Sequence, residues 1–172
     1  VDVGANQGEF TLFAAHKTGS GNVMAFEPVT RNRKLLEENI RLNAFSNITV
    51  YPYGLSDQKG SMPVYTSLET EAFHGIHEGL STLYPSAGRN VKEEIISLEV
   101  FDDCFRVAEH RVDFIKIDVE GAEWFVLKGM MACLQQYRPE LLIEINEETF
   151  NAAGYKTADI VKLLEALGYQ AF

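Results

Sequence analysis

Carboxylates and glycines recur in this sequence at the points where an apolar run gives way to polar residues. The opening stretch, VDVGANQGEF, puts Asp2 on a short apolar segment and Gly4 and Gly8 in the turn after it. Glycine serves where backbone must approach another group closely or adopt a conformation that a Cβ blocks. The run TLFAAH that follows has helical spacing, so the turn leads into a helix N-terminus whose free N–H groups suit a carboxylate or phosphate. Glu27 closes the next apolar segment, VMAFEP; Ser56 and Asp57 follow NITVYPYGL; Asp118 and Glu120 follow VDFIKI; Glu144 and Asn146 end ELLIEIN. Acids so placed can accept hydrogen bonds from a diol, hold an ammonium group, or take a proton from an attacking hydroxyl.

The elements that must position these groups alternate. Strands are predicted at 1–3, 23–26, 47–51, 112–118 and 140–145, and helices after the glycine turn and at 32–43, 124–134 and 157–167. Arg138-Pro139 breaks the third helix, and Thr157, with Asp159 in the first turn, is expected to cap the last. Between 60 and 97 the pattern loosens: SMPVYTS reads as an extra strand, HGIHEGLSTLYPSAG has no clear period, and a returning strand is expected at 95–100 before a helical turn at 101–105. Long aperiodic segments of this kind serve as lids or binding loops. Strand–helix units of roughly 30 residues argue for an α/β, Rossmann-like fold, a mostly parallel sheet with helices on both faces. The reading is one domain over 1–172, with about 60–97 as an extra substrate region. In such sheets the ligand lies beyond the carboxyl ends of the strands, where Asp2 to Gly8, Glu27, Ser56-Asp57, Asp118-Glu120 and Glu144-Asn146 fall.

Composition narrows the partners. Of 172 residues, 46% are hydrophobic and 23% charged, enough for a real core. Fifteen basic against 25 acidic residues give a formal charge of −10, which disfavours nucleic acid and favours a small or neutral substrate. Cys104 and Cys133 fall in no metal spacing and are expected to be reduced thiols, which suits a cytoplasmic setting. No apolar run approaches the ~20 residues of a membrane span. A start on Val1 inside a strand, and an end just after the Leu167-Gly168 helix stop, are expected of a fragment truncated at both ends.

A dinucleotide site would offer G-x-G-x-x-G, whereas this chain offers D-x-G-x-x-x-G. Glu27 lies roughly 20 residues on, where an acid accepts hydrogen bonds from a ribose diol. Asp2 would repel a pyrophosphate and help hold an ammonium, directly or through water. S-adenosyl-L-methionine carries a ribose and an ammonium and no phosphate, so it fits better than NAD(P).

Taken together, DVGANQGEFT, the AFEP strand end, GLSD and above all IKIDVEGAEWFVLKG at 115–129 resemble the FkbM-type family of S-adenosylmethionine-dependent methyltransferases over nearly the whole chain. KIDVEGAE is the most specific of these motifs; the glycine loop is shared by methyltransferases at large. The resemblance implies the class I methyltransferase fold and methyl transfer to a hydroxyl oxygen on a sugar or secondary metabolite. It implies Asp2, Gly4, Asn6 and Gly8 around the methionine part of the cofactor and Glu27 on its ribose. Ser56 and Asp57 would lie beside the adenine, unless they merely form a turn. Asp118 and Glu120 would lie where the methyl meets the acceptor. Asp118, Glu120 and Glu144 are candidate bases, with His74 and His77 as alternatives from a lid. The acids would suit a hard cation by ligand type, but no spacing compels one. Glu123 is expected to point back from its helix. The rival readings are an NAD(P)-dependent Rossmann oxidoreductase and a non-catalytic methyltransferase-like binding module.

Overall fold

A computed structural model describes residues 1–67, 81–82, 91–105 and 111–170. The chain runs β1 (Asp2–Val3), α1 (Glu9–Thr18), β2 (Val23–Phe26), α2 (Thr30–Leu42), β3 (Ile48–Tyr51), β4 (Gly54–Leu55), β5 (Gly60–Ser67), β6 (Ser81–Thr82), β7 (Val91–Glu99) and α3 (Phe101–Cys104). It continues with β8 (Phe114–Ile117), α4 (Glu123–Lys128), α5 (Met131–Tyr137), β9 (Glu140–Ile143), α6 (Glu147–Ala153) and α7 (Thr157–Ala166).

Five strands pair in parallel in the order β3-β2-β1-β8-β9. The centre, β1, is two residues long and registers Asp2 against Ala25 on one side and Lys116 on the other. Paired residues in a sheet share a face, and alternate residues along a strand lie on opposite faces. Ile115 and Ile117 are therefore fully buried on one side of β8, in a core with Phe26, Leu127, Met130, Leu134 and Phe150. Burying each such side chain contributes about 1.5–3 kcal/mol. Lys116 takes the opposite face beside Asp2.

A second sheet, ordered β4-β7-β5-β6, occupies the connection between β3 and β8. β5 and β7 pair antiparallel from Gly60↔Leu98 to Ser67↔Val91, and β4 joins β7 in parallel. The alternation of Met62, Val64, Ile96 and Leu98 gives this sheet one apolar face, which packs on Val29. The strand expected at 95–100 thus begins earlier, because its pairing with β5 continues to Ser67.

The helix expected over 124–134 is broken at Gly129-Met130. A Cβ on Gly129 would lie 2.1 Å from the Ser56 carbonyl oxygen, so the chain of 55–57 presses directly on this break. Gly129 accepts a hydrogen bond from the Asp102 amide at 3.0 Å, and the Asp102 carboxylate accepts from Ala132 N at 2.7 Å and Cys133 N at 3.1 Å. Asp102 therefore caps α5 from outside, and the two ends of the second-sheet segment stand on one helix junction.

A further helix, α6, was not expected after β9. Asn146 caps it, its Oδ1 accepting from Glu148 N at 3.1 Å, and Phe150 is 1% exposed beneath it. At α7 the expected cap moves back by one residue: Thr157 is already helical, and Asp159 accepts from Lys156 N at 3.0 Å. Cys104 and Cys133 are both free. No helix among the described residues is long and apolar enough to cross a membrane.

Candidate active site

A cavity of about 1050 Å³ opens at the carboxyl ends of β1, β2 and β8, the edge where the acids were expected. Its floor is the glycine turn. Gly4 has φ +79°, and a Cβ there would lie 1.8 Å from the Asp118 carbonyl oxygen, so glycine alone lets the turn rest on the end of β8. Gly4 N and Ala5 N both donate to Phe26 O at 3.1 Å, which ties the turn to β2.

Asn6, at φ 49°, directs its amide to Glu27 Oε2 at 2.8 Å. The other carboxylate oxygen accepts from Val29 N at 2.8 Å. Glu27 is only 4% exposed, and burial pushes its carboxyl up to about 7 against the opposing pull of those two N–H groups. One N–H to each oxygen leaves acceptor capacity on the cavity side, which is what two hydroxyls of a diol require.

Asp2 does not line the cavity. It is fully buried under the turn, where Thr11 donates to Oδ2 at 2.5 Å and Oδ1 has no hydrogen-bond partner. Burial raises its pKa, and the Lys116 ammonium, 3.6 Å from Oδ1, opposes that rise. Lys116 does line the cavity, donating to Gly4 O at 3.3 Å and pairing with Asp118 Oδ2 at 3.0 Å. It is the only lysine or arginine among the described lining residues, against Glu9, Glu27, Asp118, Glu120 and Glu144. An electronegative wall of this kind suits a cationic ligand.

Asp118, Glu120 and Glu144 converge from the ends of β8 and β9, with one oxygen from each within 4.8 Å of the others. Burial first, and then Asp118 and the other neighbouring carboxylates, push Glu144 up to about 7; burial, Asp118 and Glu123 raise Glu120. Protons held by such a group belong to the cluster and come off in coupled steps.

Glu120 sits at φ 54°, and Glu123 holds it there from below. Glu123 is 1% exposed; its Oε1 accepts from Val119 N at 3.0 Å, and its Oε2 accepts from Gly121 N at 3.0 Å and the Tyr155 hydroxyl at 2.9 Å. As expected it points back from its helix.

Ser56 and Asp57 are not brought to the cavity wall. Lys128 pairs with Asp57 Oδ2, and Ser56 O faces Gly129. Gly54 and Leu55 line the cavity in their place. His74 and His77 lie outside the described residues.

Sequence reasoning did not single out Lys116 or Asn32, both of which line the cavity. A signal for Lys116 was its place between two buried isoleucines on a central strand.

The model of the "Methyltransferase FkbM domain" family matches residues 2–171. The chain belongs to the FkbM methyltransferase domain family. Similar proteins include Methyltransferase sdnD of Sordaria araneosa, 29% identical over 199 residues, covering 98% of this chain and 72% of that protein. Hexuronic acid methyltransferase AglP of Haloferax volcanii is 32% identical over 167 residues, covering 95% of this chain and 59% of that one. The AMB antimetabolite synthetase AmbE of Pseudomonas aeruginosa is 28% identical over 99% of this chain, which spans 9% of its length. A crystal structure of Methyltransferase FkbM from Methylobacillus flagellatus has the same fold, with a TM-score of 0.61, 22% identity, and coverage of 96% of this chain and 35% of that one. Membership in the FkbM family sets aside the oxidoreductase reading.

Proposed function

We propose that this domain transfers the methyl group of S-adenosyl-L-methionine to a hydroxyl oxygen of a small molecule or glycan, a sugar or secondary metabolite being the acceptor. The observation that carries the reading is the convergence of Asp118, Glu120 and Glu144 on the same cavity as the glycine turn and Glu27.

The donor set fits the cofactor. Glu27 would accept from the ribose hydroxyls, and the turn of Gly4, Asn6 and Gly8 would enclose the methionine part. Asp2 would act on that part through Lys116. The acidic wall would offset the positive charge of an ammonium and a sulfonium. When bound, S-adenosyl-L-methionine supplies an electrophilic methyl group.

The chain's own task is to place a hydroxyl in line and remove its proton. The Asp118, Glu120 and Glu144 cluster supplies the base, Glu144 being the member lifted to about 7. A base of that pKa is ionised near neutral pH yet strong enough to draw a proton from a hydroxyl as it attacks. The likeness to a hexuronic acid methyltransferase favours a glycan or sugar-derived acceptor.

Calorimetric titration with S-adenosylhomocysteine, with NAD as comparison and Glu27→Ala as control, tests the cofactor. Micromolar binding that is weakened in the variant supports it. Binding of NAD instead would sink it. Transfer of labelled methyl to a panel of uronic acids, glycosides and hydroxylated metabolites then finds the acceptor; Glu144→Gln should bind S-adenosylhomocysteine normally and transfer methyl at least 100-fold more slowly. A wild-type protein that binds the nucleoside and methylates nothing would favour the non-catalytic module.

A further inference from the structure

Lys116 stands among acids, and its ammonium is committed within the protein. The side chain is 15% exposed. Its three donors are matched by three oxygens: Asp118 Oδ2 at 3.0 Å, Gly4 O at 3.3 Å and, as an ion pair, Asp2 Oδ1 at 3.6 Å. An ammonium offers three donors and no acceptor, so no donor is left over for a ligand. What Lys116 does in the cavity it does through its partners.

Those partners come from three pieces of chain. Asp2 stands opposite Lys116 in the register of β1 with β8, Gly4 begins the turn after β1, and Asp118 follows just past the end of β8. Asp2 has further support, from the Thr11 hydroxyl and the charge of the Val1 ammonium. Asp118 has Lys116 as its only ion-pair partner among the described residues.

Asp118 in turn meets Glu144. Asp118, Glu120 and Glu144 bring one oxygen each within 4.8 Å of the others. Burial first, then a hydrogen bond to Asp118 and the charges of Asp118, Glu120 and Glu123 lift Glu144 to about 7. Glu120 faces it from the turn after β8 and Glu123 from α4. Two carboxyl groups can hydrogen-bond only when one of them holds a proton. On Asp118 that proton would compete with the ammonium. On Glu144 it makes the ammonium and the carboxyl two donors to a single carboxylate, which is the arrangement an adjacent cation favours.

We propose that Lys116 is a positioning residue for the base: it fixes Asp118 as the acceptor in the Asp118–Glu144 pair and thereby places the shared proton on Glu144. In methyl transfer the attacking hydroxyl gives its proton to ionised Glu144, which holds it against Asp118 and later releases it to water. The same ammonium grips Gly4 O, so the pair is kept in register with the glycine turn. The assignment rests on the reading of these acids as the base of the reaction.

Carboxyl 13C NMR of the unliganded protein, from about pH 5 to about pH 9, tests where the proton sits, because each carboxyl's shift change follows its own proton occupancy. Glu144→Gln and Asp118→Asn assign the two signals. In wild type Glu144 is expected to carry about tenfold more of the shift change than Asp118, the bias of an opposite charge beside one member. Lys116→Met combined with Asp2→Asn removes the ammonium without stranding a buried Asp2 carboxylate; the two signals should then share the change to within about twofold. Asp2→Asn alone should leave the bias in place, which separates loss of the cation from loosening around β1. Melting curves establish that each variant is folded. Equal shift changes on the two carboxyls in wild type overturn the assignment whether or not the double variant folds, and so does a bias that the double variant retains. Methyl transfer is read separately: a wild type that shows the bias and methylates nothing overturns the base reading, whereas an active wild type without the bias overturns this assignment alone.

Discussion

Glu123→Gln tests how the reacting end of the site is held. The carboxylate is 1% exposed and accepts from Val119 N, Gly121 N and the Tyr155 hydroxyl. In the variant the oxygen that serves Val119 keeps only its longer, 3.4 Å contact from Gly121 N, and an NH2 group faces that N–H, donor against donor. Hydrogen bonds to charged groups contribute about 1.5–3 kcal/mol each, and a buried N–H left unpaired loses that in full. The Tyr155 hydroxyl can turn and accept from the new amide, so its share is largely kept. The expected cost is about 2–3 kcal/mol, and Tyr155→Phe alone should cost about 1 kcal/mol. For a domain of this size that corresponds to a fall in melting temperature of roughly 4–12 °C for Glu123→Gln. Urea denaturation of wild type, both single variants and the double variant measures it. The double variant should be less destabilised than the sum, since both changes act on one oxygen. Glu123→Gln within 0.5 kcal/mol of wild type would refute the idea that this carboxylate fixes the turn that carries Asp118 and Glu120.

Three further outcomes are expected. Glu27 has a pKa of about 7 in the folded protein against an ordinary 4.5, so its contribution to stability is fully present below about pH 4.5 and is lost as pH rises through about 7; a ribose diol donates to the ionised form, so S-adenosylhomocysteine affinity should rise from pH 5.5 to 7.5 and then level off in calorimetry, and a flat profile would refute this. Lys116→Met should cost about 3–5 kcal/mol by leaving Asp2 buried without its cation, and Asp2→Asn in the same chain should recover part of that in denaturant titrations. Gly4→Ala should cost at least about 2 kcal/mol and abolish S-adenosylhomocysteine binding, because its Cβ would lie 1.8 Å from Asp118 O.

Much of the parallel sheet was legible because its strands are bounded by turn residues and separated by helical spacing. Glu27 and the Asp118, Glu120 and Glu144 set were readable for the same reason: an acid at a strand end needs only the strand to be placed. What escaped depends on packing between distant segments. The break at Gly129 is imposed by Ser56, 73 positions earlier, and by capping from Asp102, neither of which leaves a trace in local periodicity. Asp57 was expected either beside a ligand or simply in a turn, and its pairing with Lys128, 71 positions later, leaves no trace in local sequence. Asn32 looked like an ordinary polar residue near a helix start, and only burial without a partner distinguishes it.

Ser56 and Asp102, at the two feet of the second sheet, both rest on the α4–α5 junction, through the Gly129 approach and the Asp102 cap. The excursion between them leaves and rejoins the body at one address, so its length and composition can change without re-threading the parallel strands. Because its apolar face is also a wall of the cavity, the fold has in effect an exchangeable panel: grafting a relative's segment between the same two anchor points would recut the pocket while the glycine turn and the acids stay where they are.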